Sequence, residues 1–144
     1  MALYSAAVLT SSGTATTPVW DIKATSTDSP KIMEVGCSLG ATGGMHYGLG
    51  RPGNDGGVVQ TSATTVQADN PNDPAGQSTC AATWSTAPTV PTTYLRRIDA
   101  AAIIGAGVIW TFPRGLTITP LHGLVLWCIV TSSATSYTNV SVDE

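Results

Sequence analysis

The sequence predicts an all-β fold: a single-domain antiparallel β-sandwich. Short runs rich in Val, Ile, Thr, Trp and Tyr alternate with Gly, Pro, Asn and Asp, the pattern of strands joined by turns. No long stretch repeats apolar side chains at helical spacing, because Gly, Pro or Thr interrupts almost every window. Only 10% of the residues are charged while 42% are hydrophobic, so Ser, Thr, Gly and Asn must supply most of the polar surface.

Eight or nine short strands are expected, at the interval typical of a sandwich or jelly roll. Residues 1–144 form one domain, in which residues 1–15 are either an extended N-terminal arm or an edge strand. The clear strand-like segments are Val19–Ala24, Ile32–Leu39, Met45–Leu49, Tyr94–Ile98, Gly107–Phe112, Leu116–Thr119, Leu124–Val130 and Tyr137–Val142. The two weaker segments are Val58–Gln67 and Thr79–Trp84.

Period-two alternation assigns the faces of these strands. Asp21, Lys23 and Glu34 are expected to face outward into water. The side chains expected to face the core are Trp20, Ile22, Ala24, Met33, Val35, Cys37, Leu39, Met45, Tyr47, Leu49, Val108, Trp110, Phe112, Val140 and Val142.

The segments between the strands have turn composition. Arg51–Gly57 and Asp69–Gln77 are predicted loops, since Asn, Asp, Gly and Pro favour turns. Ala87–Thr93 is predicted to be extended, because its two prolines forbid a helix and weaken strand pairing. Pro113–Gly115 is predicted to be a turn between two strands.

The segment Leu124–Val130 is apolar on both faces, so neither face is expected to meet water. One face fills the sandwich, and the other carries Val125, Trp127 and Ile129. Left open, these three would form an exposed apolar patch. Either the N-terminal arm Tyr4–Leu9 of the same chain or another copy of the chain can cover them. We expect an interface between copies, with a homotrimer as the first expectation.

The residues offer little for catalysis, and no cofactor is expected. The two histidines, His46 and His122, are isolated, and no G-x-S-x-G motif is present. Metal sites need clustered ligands, which two histidines and the internal Glu34 do not supply. The sequence thus predicts that the protein is not an enzyme.

The net charge, the apolar runs and the cysteines also indicate which partners and which cellular compartment to expect. A net charge of −3 with six Lys and Arg residues argues against nucleic-acid binding. The longest apolar run is far too short to span a bilayer, and the N-terminus lacks a basic region like that of a signal peptide. The three cysteines, Cys37, Cys80 and Cys128, are expected to be buried free thiols, which fits assembly in a reducing cytoplasm, and one disulfide is the alternative.

Several segments resemble small structural proteins of tailed bacteriophages, and among these the capsid decoration, or cement, proteins. They are the start MALYSA, the segments GLGRPGNDGG, WSTAPTVPTTYLRRI and GAGVIWTFPRGLTITP, and the ending LVLWCIV…VSVDE. The resemblance implies a jelly-roll β-sandwich, commonly a trimer. It also implies a non-enzymatic virion protein on the outer capsid surface, where it bridges capsomers by contacting the major capsid protein. No catalytic residues come with it.

Residues in the N-terminal arm, the first loop and a basic pair are expected to contact the capsid or a neighbouring copy. They are Tyr4, Leu9, Arg51, Asn54, Asp55, Arg96 and Arg97. Two alternatives remain open. One is a carbohydrate- or receptor-binding module that uses the loop Asp69–Asp73, and the other is a tail or baseplate subunit.

Overall fold

The computed structural model describes residues 2–10 and 13–144, and these residues form thirteen strands and no helix. This confirms the all-β sandwich, whereas the jelly-roll connectivity stays a prediction. The strands are β1 (Leu3–Thr10), β2 (Thr17–Lys23), β3 (Lys31–Leu39), β4 (Met45–Gly50), β5 (Val59–Thr61), β6 (Thr64–Thr65), β7 (Gln67–Ala68), β8 (Thr79–Ala81), β9 (Thr83–Thr86), β10 (Arg96–Ala100), β11 (Gly107–Thr117), β12 (Gly123–Cys128) and β13 (Ser136–Asp143).

Two antiparallel sheets enclose the core, and a separate two-stranded sheet completes the fold. Sheet A has the order β11-β3-β13-β1-β7, sheet B has the order β10-β4-β12-β2-β8-β6, and β5 pairs with β9. The largest side chains buried between the sheets include Trp20, Tyr47, Ile22, Leu39 and Leu126. Most of the predicted inward faces are therefore correct.

Two predicted details are wrong because pairing registers shift. Opposite β13, the register of β3 slips at Met33, so Ile32 takes the core position and Met33 is half-buried. The predicted turn Pro113–Gly115 lies inside β11, where the register with β3 shifts between Thr111 and Leu116. A bulge with Gly115 at a φ of +68° accommodates the extra residues without ending the strand.

Strand β12 is buried on both faces, as expected, but its own chain covers the outer one. Trp127 and Val125 are both 0% exposed within a single copy. The segments 51–61 and 83–95, which we call the cover, lie over this face of sheet B. The expectation that Val125 and Trp127 form an interface between copies is therefore wrong, and only Ile129 is partly exposed.

The cover can approach closely because β4 has glycines beside the large residues of β12. Gly48 is paired with Trp127 and Gly50 with Val125. A Cβ atom at Gly48 would lie 2.6 Å from Cδ1 of Tyr94, and one at Gly50 would lie 3.2 Å from Cγ of Pro91. The two glycines thus make room for cover residues on the sheet.

Asp21 lies beneath the cover, so the prediction that it faces water is wrong. Its side chain is buried, and its Oδ1 accepts hydrogen bonds from Nε2 of Gln60 at 3.0 Å and Nε1 of Trp84 at 2.9 Å. Burial raises the pKa of Asp21 to about 6, although these hydrogen bonds and the nearby Lys23 act in the opposite direction. Alternation correctly places Asp21 on the outer face of β2, but this face is covered by the chain and is not exposed to solvent.

The outer face of sheet A is bare, in contrast. It carries the exposed residues Ala7, Ile109 and Tyr137, and Glu34 is half-buried there. The pairing registers set its outward side chains in rows, most of them small and uncharged. Two such rows are Leu9–Tyr137–Ser38–Gly107 and Ala7–Asn139–Gly36–Ile109.

Strand β1 belongs to sheet A and is not a detached arm. It pairs along its whole length with β13, while β7 pairs only with Tyr4 and Ser5 on its other side. Residues 6–10 therefore lie at an edge of the sheet, which agrees with the edge-strand alternative. Tyr4 is only 4% exposed, so the expectation that it contacts a partner is wrong.

All three cysteines are buried free thiols, as the sequence predicts. Burial raises the pKa of Cys37 to about 12, and it also raises the pKa values of Cys80 and Cys128. Among the described residues there is no helix with the length and apolarity needed to cross a membrane.

Candidate functional site

The two ends of the sandwich differ in charge, and the described loops at one end contain no charged residue, although the exposed His46–Asp99 pair lies on the adjoining ends of β4 and β10. Four loops meet there, made of residues 13–16, 40–44, 101–106 and 129–135. Each follows or precedes strands whose ends are paired, as Thr10 is with Ser136 and Cys128 is with Thr17. We call these four loops the uncharged end, because all their side chains are apolar or neutral polar.

Backbone hydrogen bonds hold the four loops together. Ser132 N donates to Gly13 O at 2.9 Å, and Gly40 N donates to Thr135 O at 2.8 Å. The loop 101–106 is joined to the end of β3, since Gly105 N donates to Leu39 O at 2.8 Å. The uncharged end is therefore one continuous surface.

Large apolar side chains project from this surface and from the strand ends beside it. Ile103 is 66% exposed and Ile104 is 64% exposed. Leu9, Val130 and Tyr137 are also exposed, and Leu9 is paired directly with Tyr137 across β1 and β13. Exposed apolar side chains that cluster at one end of a chain are a feature of protein interaction sites.

The opposite end carries most of the ionisable groups. Asp55 Oδ1 accepts a hydrogen bond from Gly123 N at 3.0 Å, and its Oδ2 lies 3.0 Å from His122 Nδ1. Glu144 accepts hydrogen bonds from the backbone N–H groups of Gln77 and Ser78, both at 2.8 Å. Loops at this end also contain Asp28, Arg51, Asp69 and Asp73, and Arg114 lies in the bulged part of β11.

This asymmetry determines which end can be buried more easily against another protein. Removing a charge from water is costly unless it finds a partner, whereas Ser, Thr and Gly need only ordinary hydrogen bonds. Interface cores are accordingly poor in charged residues. The uncharged end can therefore be desolvated at low cost, and Ile103 and Ile104 would contribute apolar area.

The structure separates the residues predicted to contact a partner. Leu9 lies beside the uncharged end and is exposed, whereas Arg51, Asn54 and Asp55 lie near the opposite end. Arg51 Nη2 donates to Thr117 O at 2.8 Å. Asn54 holds the cover together, since its Nδ2 donates to Ala87 O at 3.1 Å and its Oδ1 accepts from Thr89 N at 2.9 Å.

Arg96 and Arg97 both lie on the edge strand β10 and are exposed. The guanidinium of Arg96 lies 5.5 Å from the ring centre of Phe112, and that of Arg97 lies 5.4 Å from the ring centre of Tyr94. Both arginines therefore cover aromatic rings of their own chain.

The two histidines lie at opposite ends of the molecule. His46 is near the start of β4 and pairs with Asp99 of β10, while His122 pairs with Asp55 just before β12. They cannot act together on one substrate. Within residues 2–10 and 13–144, no group of three or more His, Cys, Asp or Glu side chains is placed to hold a metal ion.

Polar groups of the loop Asp69–Asp73, the candidate sugar site, form hydrogen bonds within their own chain. Asn70 Nδ2 donates to Asp73 Oδ1 at 3.3 Å, and Asn72 N donates to Asn70 Oδ1 at 3.2 Å. Asp69 Oδ1 accepts from Ser5 Oγ at 2.6 Å. Part of the polar capacity of the loop is thus used within the fold.

Sequence reasoning missed the uncharged end because its four loops are far apart in the chain. A signal was present, since the segments 11–16, 40–44, 101–106 and 129–135 contain no Asp, Glu, Lys or Arg. Only the strand pairing shows that these segments meet. No protein-family model, curated protein or solved structure matches this chain.

Proposed function

We propose that the protein is a non-enzymatic structural subunit of a bacteriophage virion, which decorates an icosahedral capsid on its outer surface. In this role it stabilises the shell as a homo-oligomer that bridges neighbouring capsomers through the major capsid protein. The observation that supports the proposal best is the uncharged end, with Ile103 and Ile104 exposed on it. Such a surface suits permanent burial against protein.

Bridging would make the attachment stronger than any single contact. Once one copy of an oligomer has bound the shell, the other copies bind at a high effective concentration, so weak individual contacts add up to firm attachment. The predicted trimer stays a prediction. Trp127 does not support it, because the side chain is buried within one copy.

The test is to strip the protein from purified particles of the virus that encodes it and to measure rebinding. We expect the wild-type chain to rebind, and the double variant Ile103→Lys/Ile104→Lys to lose at least tenfold in affinity, because two charges would have to be buried. Leu121→Lys is the matched control, since Leu121 is equally an exposed apolar residue but lies at the charged end.

Particle imaging separates this role from the alternatives. Density on the outer head surface supports decoration, while density in the tail or baseplate would contradict it. A glycan array tests the receptor-binding alternative through the loop Asp69–Asp73, and specific binding that is lost in Asp73→Ala would favour that alternative.

A further inference from the structure

One edge of sheet A is unpaired over residues 6–10 of β1. The hydrogen bonds on either side of the strand show which backbone groups face that edge. Ala2 exchanges two hydrogen bonds with Glu144, on the side of β13, whereas Leu3 O accepts from Asp69 N at 2.8 Å on the opposite side. Successive residues of a strand point their N–H and C=O groups to alternate sides. The groups of Ala7 and Leu9 therefore point away from β13, where no described strand pairs with them.

This edge lacks the features that usually prevent strand pairing, which are charge, proline, a bulge or very short length. Residues 6–10 have the sequence AAVLT, and their register with β13 is unbroken. The strands at the other outer edges of the two sheets each have at least one of these features, although residues 107–112 of β11 are uncharged. Strand β10 carries Arg96, Arg97 and Asp99, β11 contains Pro113, Arg114 and a bulge, and β6 has two residues.

There is open space at one end of this edge. A groove of about 390 Å³ lies between Ser5–Ala7 of β1 and the segment 64–67, and its lining residues are all uncharged. On the core side, Ala6 and Val8 pack against the hydrophobic core but stay partly exposed, because the sandwich is open here. A strand that fits must therefore offer backbone hydrogen bonds and a small apolar side chain facing the core.

We infer that the occupant of this edge is β1 of a second copy, paired antiparallel about a two-fold axis at Val8. In that register Ala7 of one copy is opposite Leu9 of the other, and their outward N–H and C=O groups complete four hydrogen bonds. Val8 then meets Val8 of the other copy over the open side of the core. The pairing is isologous, since both copies use the same residues.

The absence of charge favours a second copy as the partner. Identical surfaces carry identical charges, so a charged edge would repel itself, and this edge has none over residues 6–10. The edge pairing supplies the self-association that the buried Val125 and Trp127 cannot, and it gives a two-fold dimer in place of the trimer predicted from the sequence. It does not depend on a role in a capsid, and it is tested with the purified chain alone.

Proline at position 9 tests the pairing without disturbing the fold, because no described residue accepts a hydrogen bond from the N–H of Leu9. We expect the wild-type protein to have twice the chain mass of 14.7 kDa in sedimentation equilibrium at micromolar concentration. Leu9→Pro should raise the dissociation constant by roughly tenfold to a hundredfold while leaving the circular dichroism spectrum unchanged. Leu9→Lys, which keeps the backbone intact, should have the same effect and decides the matter if the proline variant does not fold.

Leu3→Lys is the matched control, since Leu3 is exposed on the same strand and face but lies where Asp69 already occupies the edge. It should stay dimeric. A direct test is Val8→Cys, which should form a covalent dimer on oxidation, because opposed residues of this pair type have Cα atoms about 4.5 Å apart. A wild-type monomer or trimer, a dimer that survives both position-9 variants, or equal dissociation by Leu3→Lys would overturn the inference.

Discussion

The two outer faces of the sandwich show opposite ways of finishing a sheet. The outer face of sheet B contains Val125 and Trp127, and the chain folds its own cover over them. The outer face of sheet A, made largely of Ser, Ala, Gly, Asn and Thr, is not covered by any of the residues that the structure describes. An apolar face therefore does not by itself mark an interface between proteins, because a long excursion of the same chain can bury it.

Trp127→Ala should have the largest effect on stability, because it removes the large side chain that packs between β12 and the cover. We expect the free energy of unfolding to fall by about 3–5 kcal/mol, because the substitution leaves a cavity between β12 and the cover. Chemical denaturation of the purified protein measures this. Ile109→Thr on the bare face is the control, and its effect should stay within about 0.5 kcal/mol. Similar losses in both variants would contradict the difference between the faces.

Asp21→Asn tests the carboxyl group beneath the cover. The folded-state pKa of Asp21 is about 6, above the ordinary value of 3.8 for an aspartic acid, so folding favours the protonated form. Its contribution to stability is thus fully present below about pH 4 and is lost as the pH rises through 6. Near pH 8 the amide should therefore stabilise the protein, by up to about 3 kcal/mol.

The measurement for Asp21→Asn is a series of denaturation curves between pH 4 and pH 8. The difference from the wild type should shrink toward pH 4, since both side chains are then neutral. Asp143→Asn, which makes the same change in net charge at the edge of the bare face, should not reproduce this pH dependence. A destabilised Asp21→Asn variant at pH 8 would show that the charged form is needed.

A methyl group added to each face sharpens the comparison further. Gly48→Ala places its Cβ against the half-buried ring of Tyr94 and against Ile129, so we expect a loss of about 1–3 kcal/mol. Gly36→Ala meets the side chain of Asn139, which is exposed and can rotate away. Its loss should be clearly smaller in the same denaturation assay, and equal losses would mean that the bare face is as rigid as the covered one.

The fold class and most strand limits could be predicted because they depend on local alternation. The faces of Met33 and Asp21 could not, for two reasons. The face of Met33 depends on a bulge, which is a property of a strand pair. The face of Asp21 depends on a cover that is distant in the sequence. The one local sign of the cover was the pair Gly48 and Gly50 inside a strand, since glycines there mark close approach of other atoms.

The candidate site could be predicted only in part. Exposed Leu9 was identified, but Tyr4 and Trp127 were taken for contact residues although both are buried. The composition of each of the four loops is visible in the sequence as a segment without charged residues. The four loops come together, however, only through the pairing of the strand ends. Which neutral segments combine into one surface is decided by topology and not by any one segment.

The burial of all three thiols has a practical consequence for labelling chemistry. Because Cys37, Cys80 and Cys128 are enclosed and have raised pKa values, they should react slowly with maleimides in the folded protein. A cysteine introduced in place of exposed Ile104 would then be the fast-reacting thiol. A fluorophore attached there would report, by its change in emission, when that tip of the molecule docks against another surface.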